Sequence, residues 1–143
     1  MKLDLQLFAN TDKIFGQGTQ LALGSTTVCE LRNISLPGFS ADDIDVTTHC
    51  SADYFREFIK GLTDAGEITI EGVFNYTDYA VLYDAIGTLS LYSATIAVPT
   101  TPSETKWLAN VYVKSLEGGI PHDDTIDFSS ALKITGKPSL TQV

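Results

Sequence analysis

The chain has 143 residues, 43% hydrophobic and 19% charged, which suffices for one cored domain and excludes wholesale disorder. Eighteen Asp plus Glu against nine Lys plus Arg leave −9 at neutral pH, the wrong sign for a surface that grips phosphate backbones. No run approaches the roughly 18 apolar residues of a membrane span.

Residues 1–8 place Asp4 and Gln6 among Leu3, Leu5 and Leu7, which is not the pattern of a signal peptide. Leu3, Leu5 and Leu7 alternate as in a short strand, but Asn10, Gly16 and Gly18 break the alternation. Residues 1–18 thus read as a flexible N-terminal arm that orders on binding, or as a plain tail. From Thr19 the pattern turns to β. A strand over 19–23 closes at Gly24-Ser25, and a second over 26–36 ends at Pro37-Gly38. Over 43–49, Ile44, Val46 and Thr48 share one face and Asp45, Thr47 and His49 the other. The cleanest alternation runs over 67–76, with Ile68, Ile70 and Phe74 opposite Glu67, Thr69 and Glu71.

One helix interrupts the strands, predicted over about 77–86. Tyr79, Leu82, Tyr83 and Ile86 fall on one helical face, Thr77 can cap the start and Gly87 supplies the stop. Strands resume over 89–98, 105–116 and 125–135, stopped by Pro99 and Pro102, by Gly118-Gly119 and by Gly136-Lys137-Pro138. In the last of them Ile126, Phe128, Leu132 and Ile134 should face inward. Six to seven strands plus one helix describe a mainly β protein, a β-sandwich or barrel flanked by a helix, in one domain over 19–143.

Residues 49–66 fit neither pattern. They hold Tyr54, Phe55, Phe58, Ile59 and Leu62 among Arg56, Glu57 and Lys60. The apolar spacing also fits a short buried helix. As a long loop between two strands, an aromatic-rich segment is better suited to a partner than to solvent.

A catalytic reading needs a nucleophile with a base, or a metal. His49 lies on a polar strand face and His122 in an acidic turn, with no nucleophile elbow beside either. Cys29, Cys50, His49 and His122 match no zinc spacing, and two cysteines alone form no disulfide framework; they read as cytosolic thiols. Gly16-Gln17-Gly18 has neither a strand before it nor a helix after it, so it is no phosphate loop. No catalytic, metal or cofactor residue is assigned, and the sequence encodes no recognisable enzyme. Asp43, Asp45, Glu67 and Glu71 are expected on exposed strand faces.

The order of segments carries a resemblance. A strand ending Leu31-Arg32-Asn33-Ile34-Ser35-Leu36-Pro37-Gly38 is followed by Asp42-Asp43-Ile44-Asp45-Val46-Thr47. Then come Phe55-Arg56-Glu57-Phe58-Ile59-Lys60-Gly61-Leu62-Thr63-Asp64-Ala65-Gly66-Glu67-Ile68 and, at the close, Leu132-Lys133-Ile134-Thr135-Gly136-Lys137-Pro138. Over residues from about 20 to 138 the chain resembles the major tail protein (tail tube protein) of long-tailed bacteriophages with non-contractile tails, a fold similar to that of the type VI secretion tube protein. The resemblance implies stacked hexameric rings that form the tail tube and pass the genome to the host. It implies a place in the virion tail, with assembly in the bacterial host cytoplasm. The implied partners are further copies of the chain and the tail-tip, tape-measure and tail-terminator proteins, with no membrane and no cofactor. It puts Ile68, Ile70 and Phe74 in the core, and gives the 49–66 loop, with Tyr54, Phe55, Phe58, Ile59 and Leu62, the contact between rings.

The charge agrees from another direction. DNA passes through a conducting tube without specific binding, and an acidic wall repels phosphates while a basic one would hold them. A head–tail completion protein that stops at one ring and a secretion tube protein are the alternatives; a small β-barrel enzyme or ligand carrier is the remaining class.

Overall fold

The structure, a computed structural model, describes residues 18–28, 30–100 and 103–142. Apart from Gly18, the arm expected over 1–18 lies outside the described residues, as does Cys29.

β1 (Gln20–Leu23) and β2 (Thr26–Val28) form a tight hairpin about Gly24, whose φ of +61° suits glycine. β3 (Leu31–Ile34) comes almost at once, so the strand expected over 26–36 is two strands. Glu30 separates them because its backbone bonds elsewhere. Its N–H donates to Asp78 Oδ2 at 3.0 Å, and its carbonyl accepts the Val73 N–H at 2.9 Å. Among the described residues, β4 (Ser40–Asp45) and β5 (Phe58–Asp64) pair only with each other. β6 (Glu67–Val73), α1 (Tyr76–Ile86), β7 (Tyr92–Val98), β8 (Thr105–Gly119) and β9 (Asp127–Gln142) complete the chain.

The main sheet has seven antiparallel strands in the order β2-β1-β7-β8-β9-β6-β3. β2 and β3 are therefore its two outermost strands. Laid flat, the edges of seven strands would stand about 29 Å apart. Val28 and Leu31 are joined by a chain that spans about 11 Å at most. The sheet must curl, and it forms a half-barrel.

Inside the curl lie Leu21, Leu23, Val28, Ile68, Ile70, Ile96, Val111, Phe128, Leu132 and Ile134, closed over by Leu82 and Ala85 of α1. Along β6 the inward positions are Ile68, Ile70 and Gly72, opposite Leu132, Ser130 and Phe128 of β9. Gly72 has no room for a side chain: a Cβ there would stand 2.2 Å from the Glu30 carbonyl oxygen and 3.1 Å from the Phe128 ring. Ser130 is buried, and its hydroxyl donates to the Ser115 carbonyl at 2.8 Å.

Several sequence expectations shift. Phe74 lies beyond the end of β6 and is 40% exposed, packed against Tyr79 at 5.1 Å rather than inside the core. Ile126 precedes β9 and is likewise exposed. The helix is capped by Asn75, whose Oδ1 accepts the Thr77 N–H at 3.0 Å. Its buried stripe is Asp78, Leu82 and Ala85, so of the four predicted face residues Leu82 is buried while Tyr83 and Ile86 are exposed. The buried Asp78 carboxylate holding Glu30 turns the helix away from the face its apolar residues mark out. Finally, Gly136-Lys137-Pro138 does not stop β9. Register passes from Leu108 opposite Ser139 to Asn110 opposite Thr135, so these three residues loop out as a bulge and pairing continues to Gln142.

Candidate assembly surface

The segment read as a long loop over 49–66 contains a strand. β5 occupies Phe58–Asp64 and pairs antiparallel with β4, making a separate two-stranded hairpin. The short-helix alternative reduces to a 3-10 turn over Ala52–Tyr54. Every residue of β4 is exposed, and all of β5 is exposed except half-buried Gly61. A two-stranded ribbon of this kind is marginal by itself in water.

Register sorts its side chains. Ile44 stands opposite Ile59, Asp43 opposite Lys60 and Asp45 opposite Phe58, and directly opposed residues share a face. Between Ala41 and Asp43 the ladder slips, leaving Gly61 and Leu62 together opposite Asp42. Leu62 thereby joins the Ile44–Ile59 face and is 88% exposed. Gly61 sits on that face too, where a Cβ would stand 3.2 Å from Asp42 Cβ and 3.4 Å from Ile44 Cδ1. One face thus carries Ile44, Ile59 and Leu62, with Asp42 among them. The other mixes Phe58 with Asp43, Asp45 and Lys60. Tyr54 and Phe55 stand at the tip, largely in solvent.

The hairpin holds its own shape at both ends. At the tip, Val46 donates to the Glu57 carbonyl at 2.9 Å, the Glu57 N–H reaches Thr47 Oγ1 at 2.9 Å, and the Ser51 hydroxyl reaches Glu57 Oε2 at 2.9 Å. The Thr47 hydroxyl and N–H hold the Asp45 carboxyl below the ordinary carboxylate range. At the neck, Lys133 Nζ donates to both Asp64 oxygens at 3.0 Å, and the Gly66 N–H donates to Asp64 Oδ1 at 2.9 Å. The Gly66 N–H and then the Lys133 ammonium lower the Asp64 pKa. Gly66 has φ +72°, and a Cβ there would stand 2.5 Å from the Gly38 carbonyl oxygen, so two backbones touch where the hairpin leaves the sheet.

The four predicted acids fall in three places. Asp43 and Asp45 are exposed on the mixed face of the hairpin. Glu67 is half-buried and bonded to the Lys114 ammonium, which raises the lysine's pKa. Glu67 was expected on an exposed face and is instead half-buried beside Lys114. The cause of the pairing is a bulge: register passes from Val113 opposite Leu132 to Ser115 opposite Ala131, so Lys114 is the extra residue of β8. Glu71 is exposed, opposite Ser129, which also faces Glu117. A polar depression of about 390 Å³ there is lined by Glu71, Glu117 and the Arg32–Asp127 pair at 3.6 Å.

Among the described residues no cluster of His, Cys, Asp and Glu could hold a metal ion, and no helix is long and apolar enough to cross a membrane. Sequence reading passed over Ile44 and Phe39 as contact residues. Ile44's place opposite Ile59 is set by register, which its own alternation does not show.

No protein-family model matches the chain, and no curated protein does. Solved structures do. A chain of the PVC sheath–tube complex, an extracellular contractile injection system in its extended state, superposes with TM-score 0.77 at 14% identity, over 99% of this chain and 100% of that one. A chain in the tail of an empty gene transfer agent particle, refined with C6 symmetry, gives 0.69 at 23% identity over 86% and 93%. A chain of the SPP1 tail tube gives 0.67 at 10% identity over 92% and 80%. The fold is the tail-tube fold. At these identities the likeness speaks for the fold of the chain, and the matches come from a contractile injection system, a gene transfer agent tail and a tail tube. Within the tail-tube fold, the β4–β5 hairpin leaves Ile44, Ile59 and Leu62 exposed along one face.

Proposed function

We propose that this chain is a structural tail-tube protein that self-assembles into stacked hexameric rings, the conduit of a virion tail through which the genome passes. The observation that carries the reading is the tail-tube fold bearing a preformed hairpin with large exposed apolar side chains. Ile44, Ile59 and Leu62 on one side give the hairpin exposed apolar surface, and Tyr54 and Phe55 at the tip add aromatic side chains, the kind that carries much of the energy in interface centres. The hairpin reaches the next ring in this reading, with Phe55 and Phe58 as anchors. The C6 symmetry of the gene transfer agent tail supports the hexamer. The net charge of −9 on each copy supports a wall that repels DNA and offers it no specific site. Tail-tip, tape-measure and tail-terminator proteins are the expected partners, assembly belongs in the bacterial host cytoplasm, and no catalytic role is assigned.

The likeness to a contractile injection system supports a second reading, a tube inside a contractile sheath. A tube without a sheath is the preferred reading, in line with the motifs over residues 31–68. Electron microscopy of concentrated protein is the test. Hollow tubes with six-fold end views are expected, growing from monomer on concentration or on contact with a tail-tip complex. Isolated rings that never stack would favour a head–tail completion protein. A persistent monomer at high concentration with the tail-tip complex present would overturn both.

A further inference from the structure

The strand axis gives the domain two unlike ends. β6 starts at Glu67, next to the hairpin neck, and finishes at Val73, which pairs with Asp127 beside the β8–β9 turn. Seven strand residues separate those ends by about 20 Å.

At the neck end a groove of about 590 Å³ runs between the hairpin and the β9 bulge. Phe39, Ile134 and Pro138 give it an apolar lining, and Phe39 is 59% exposed. Lys60 and Lys137 border it as well. Asp64, also in the lining, is already taken by Lys133. Among the described residues neither Lys60 nor Lys137 has an ion-pair partner. The groove is an apolar floor between two unpaired ammonium groups.

At the far end the turn after β8 carries Ile120, 83% exposed, followed by Asp123 and Asp124. No Lys or Arg occurs over residues 117–127. Asp123 has only the exposed His122 at 3.6 Å, and Asp124 accepts the Thr125 N–H at 2.7 Å. The turn is an apolar side chain beside two carboxylates that, among the described residues, no Lys or Arg pairs.

We propose that the 120–124 turn of one copy docks in the groove between Lys60 and Lys137 of the next copy, Ile120 against Phe39 and the two aspartates against the two lysines. The contact rests on the tube reading and names the surfaces that join copies end to end. Within one copy the turn and the groove lie at opposite ends and do not meet. Unlike, complementary patches on one molecule make a heterologous contact, which propagates from copy to copy. Opposite charges across it set register and orientation and weaken as salt rises.

Two charge-reversed proteins test this, K60E/K137E and D123K/D124K. All four side chains are exposed, so each protein should fold and melt near wild type. In either one alone, groove and turn carry the same sign, and assembly should fail where wild type forms tubes. Mixed in equal amounts, each protein's turn matches the other's groove, and tubes containing both should return; the quadruple variant should also assemble. Should a double variant fold poorly, K137E mixed with D124K carries the same logic. Wild-type-like assembly of either variant alone, or a mixture that stays unassembled, would overturn the contact while leaving the tube reading standing. Wild-type protein that never polymerises removes the tube reading, and this contact with it.

Discussion

The seven-stranded sheet and the β4–β5 hairpin are written in similar residues, alternating Ile, Leu, Phe and Val with acids and hydroxyls, yet their apolar sides have opposite fates. In β6, Ile68 and Ile70 are buried in the core inside the curled sheet. In the hairpin, Ile44 and Ile59 pair with each other and stay half in water. The difference lies in what each strand has behind it. A curled sheet supplies its own opposing layer, whereas a two-stranded ribbon needs another surface to supply one. Stability of the single copy should therefore reside in the sheet, and stability of the assembly in the hairpin.

The largest effect that sharpens this contrast is expected from paired truncations. Phe128→Ala empties the centre of the curl and should cost the isolated subunit about 3–5 kcal/mol of folding stability. Phe55→Ala and Phe58→Ala should leave monomer melting close to wild type and instead weaken tube formation by about 2–4 kcal/mol. Comparable losses of monomer stability in all three would erase the distinction between the regions. Next in size is Gly72→Ala, which pushes a methyl into the Glu30 carbonyl and should cost about 1–3 kcal/mol in denaturant unfolding of the monomer. An unchanged midpoint would mean that the crossing between β2 and β3 yields easily.

A smaller loss is expected at the neck. Gly66→Ala forces a non-glycine residue to φ +72° against the Gly38 carbonyl, at about 1–2 kcal/mol for the backbone alone. Its signature should be faster proteolysis of the hairpin and poorer assembly, more than a general loss of fold. The smallest effect concerns acid. Asp64 has a folded-state pKa below its unfolded value, so its contribution is complete above the ordinary carboxylate range near 4 and is lost as pH falls through the lower, folded value. Hydrogen exchange at the neck should therefore rise only on strong acidification, and Asp64→Asn should remove that dependence. A neck that loosens already at neutral pH would show that the Lys133 contact does not hold it.

Strands with one buried face were legible from alternation, as over Glu67–Val73 and in Phe128, Leu132 and Ile134. The helix was legible to within one residue at its start from its spacing, from Thr77 near the start and from Gly87 at the stop, although the cap itself is Asn75. What stayed hidden has physical causes. β5 escaped because its bulge sets Gly61 and Leu62 together against Asp42, breaking the two-residue period. With Tyr54 and Phe55 before it, the spacing then imitates a helix. Gly136-Lys137-Pro138 carries turn chemistry but spends it on a bulge within a continuous strand. The helix face was misjudged because a hydrophobic pattern has no symbol for a buried carboxylate such as Asp78. At the candidate site, the aromatic composition of residues 49–66 was visible in the sequence. Which side chains share a face was not, since register depends on a slip between two strands. The capture of Glu67 by Lys114 depends on another such slip in β8.

The short crossing at Glu30 has a bearing on straightness. Because the chain from Val28 to Leu31 ties the two outermost strands across the open side of the curl, the arc of each copy is limited by covalent length as well as by packing. Glu30's two backbone bonds, to Asp78 and to Val73, lock that tie. Angular play in a building block multiplies along any linear array of copies. In a tube of the kind proposed, a brace that removes it inside each copy would keep a long array straight.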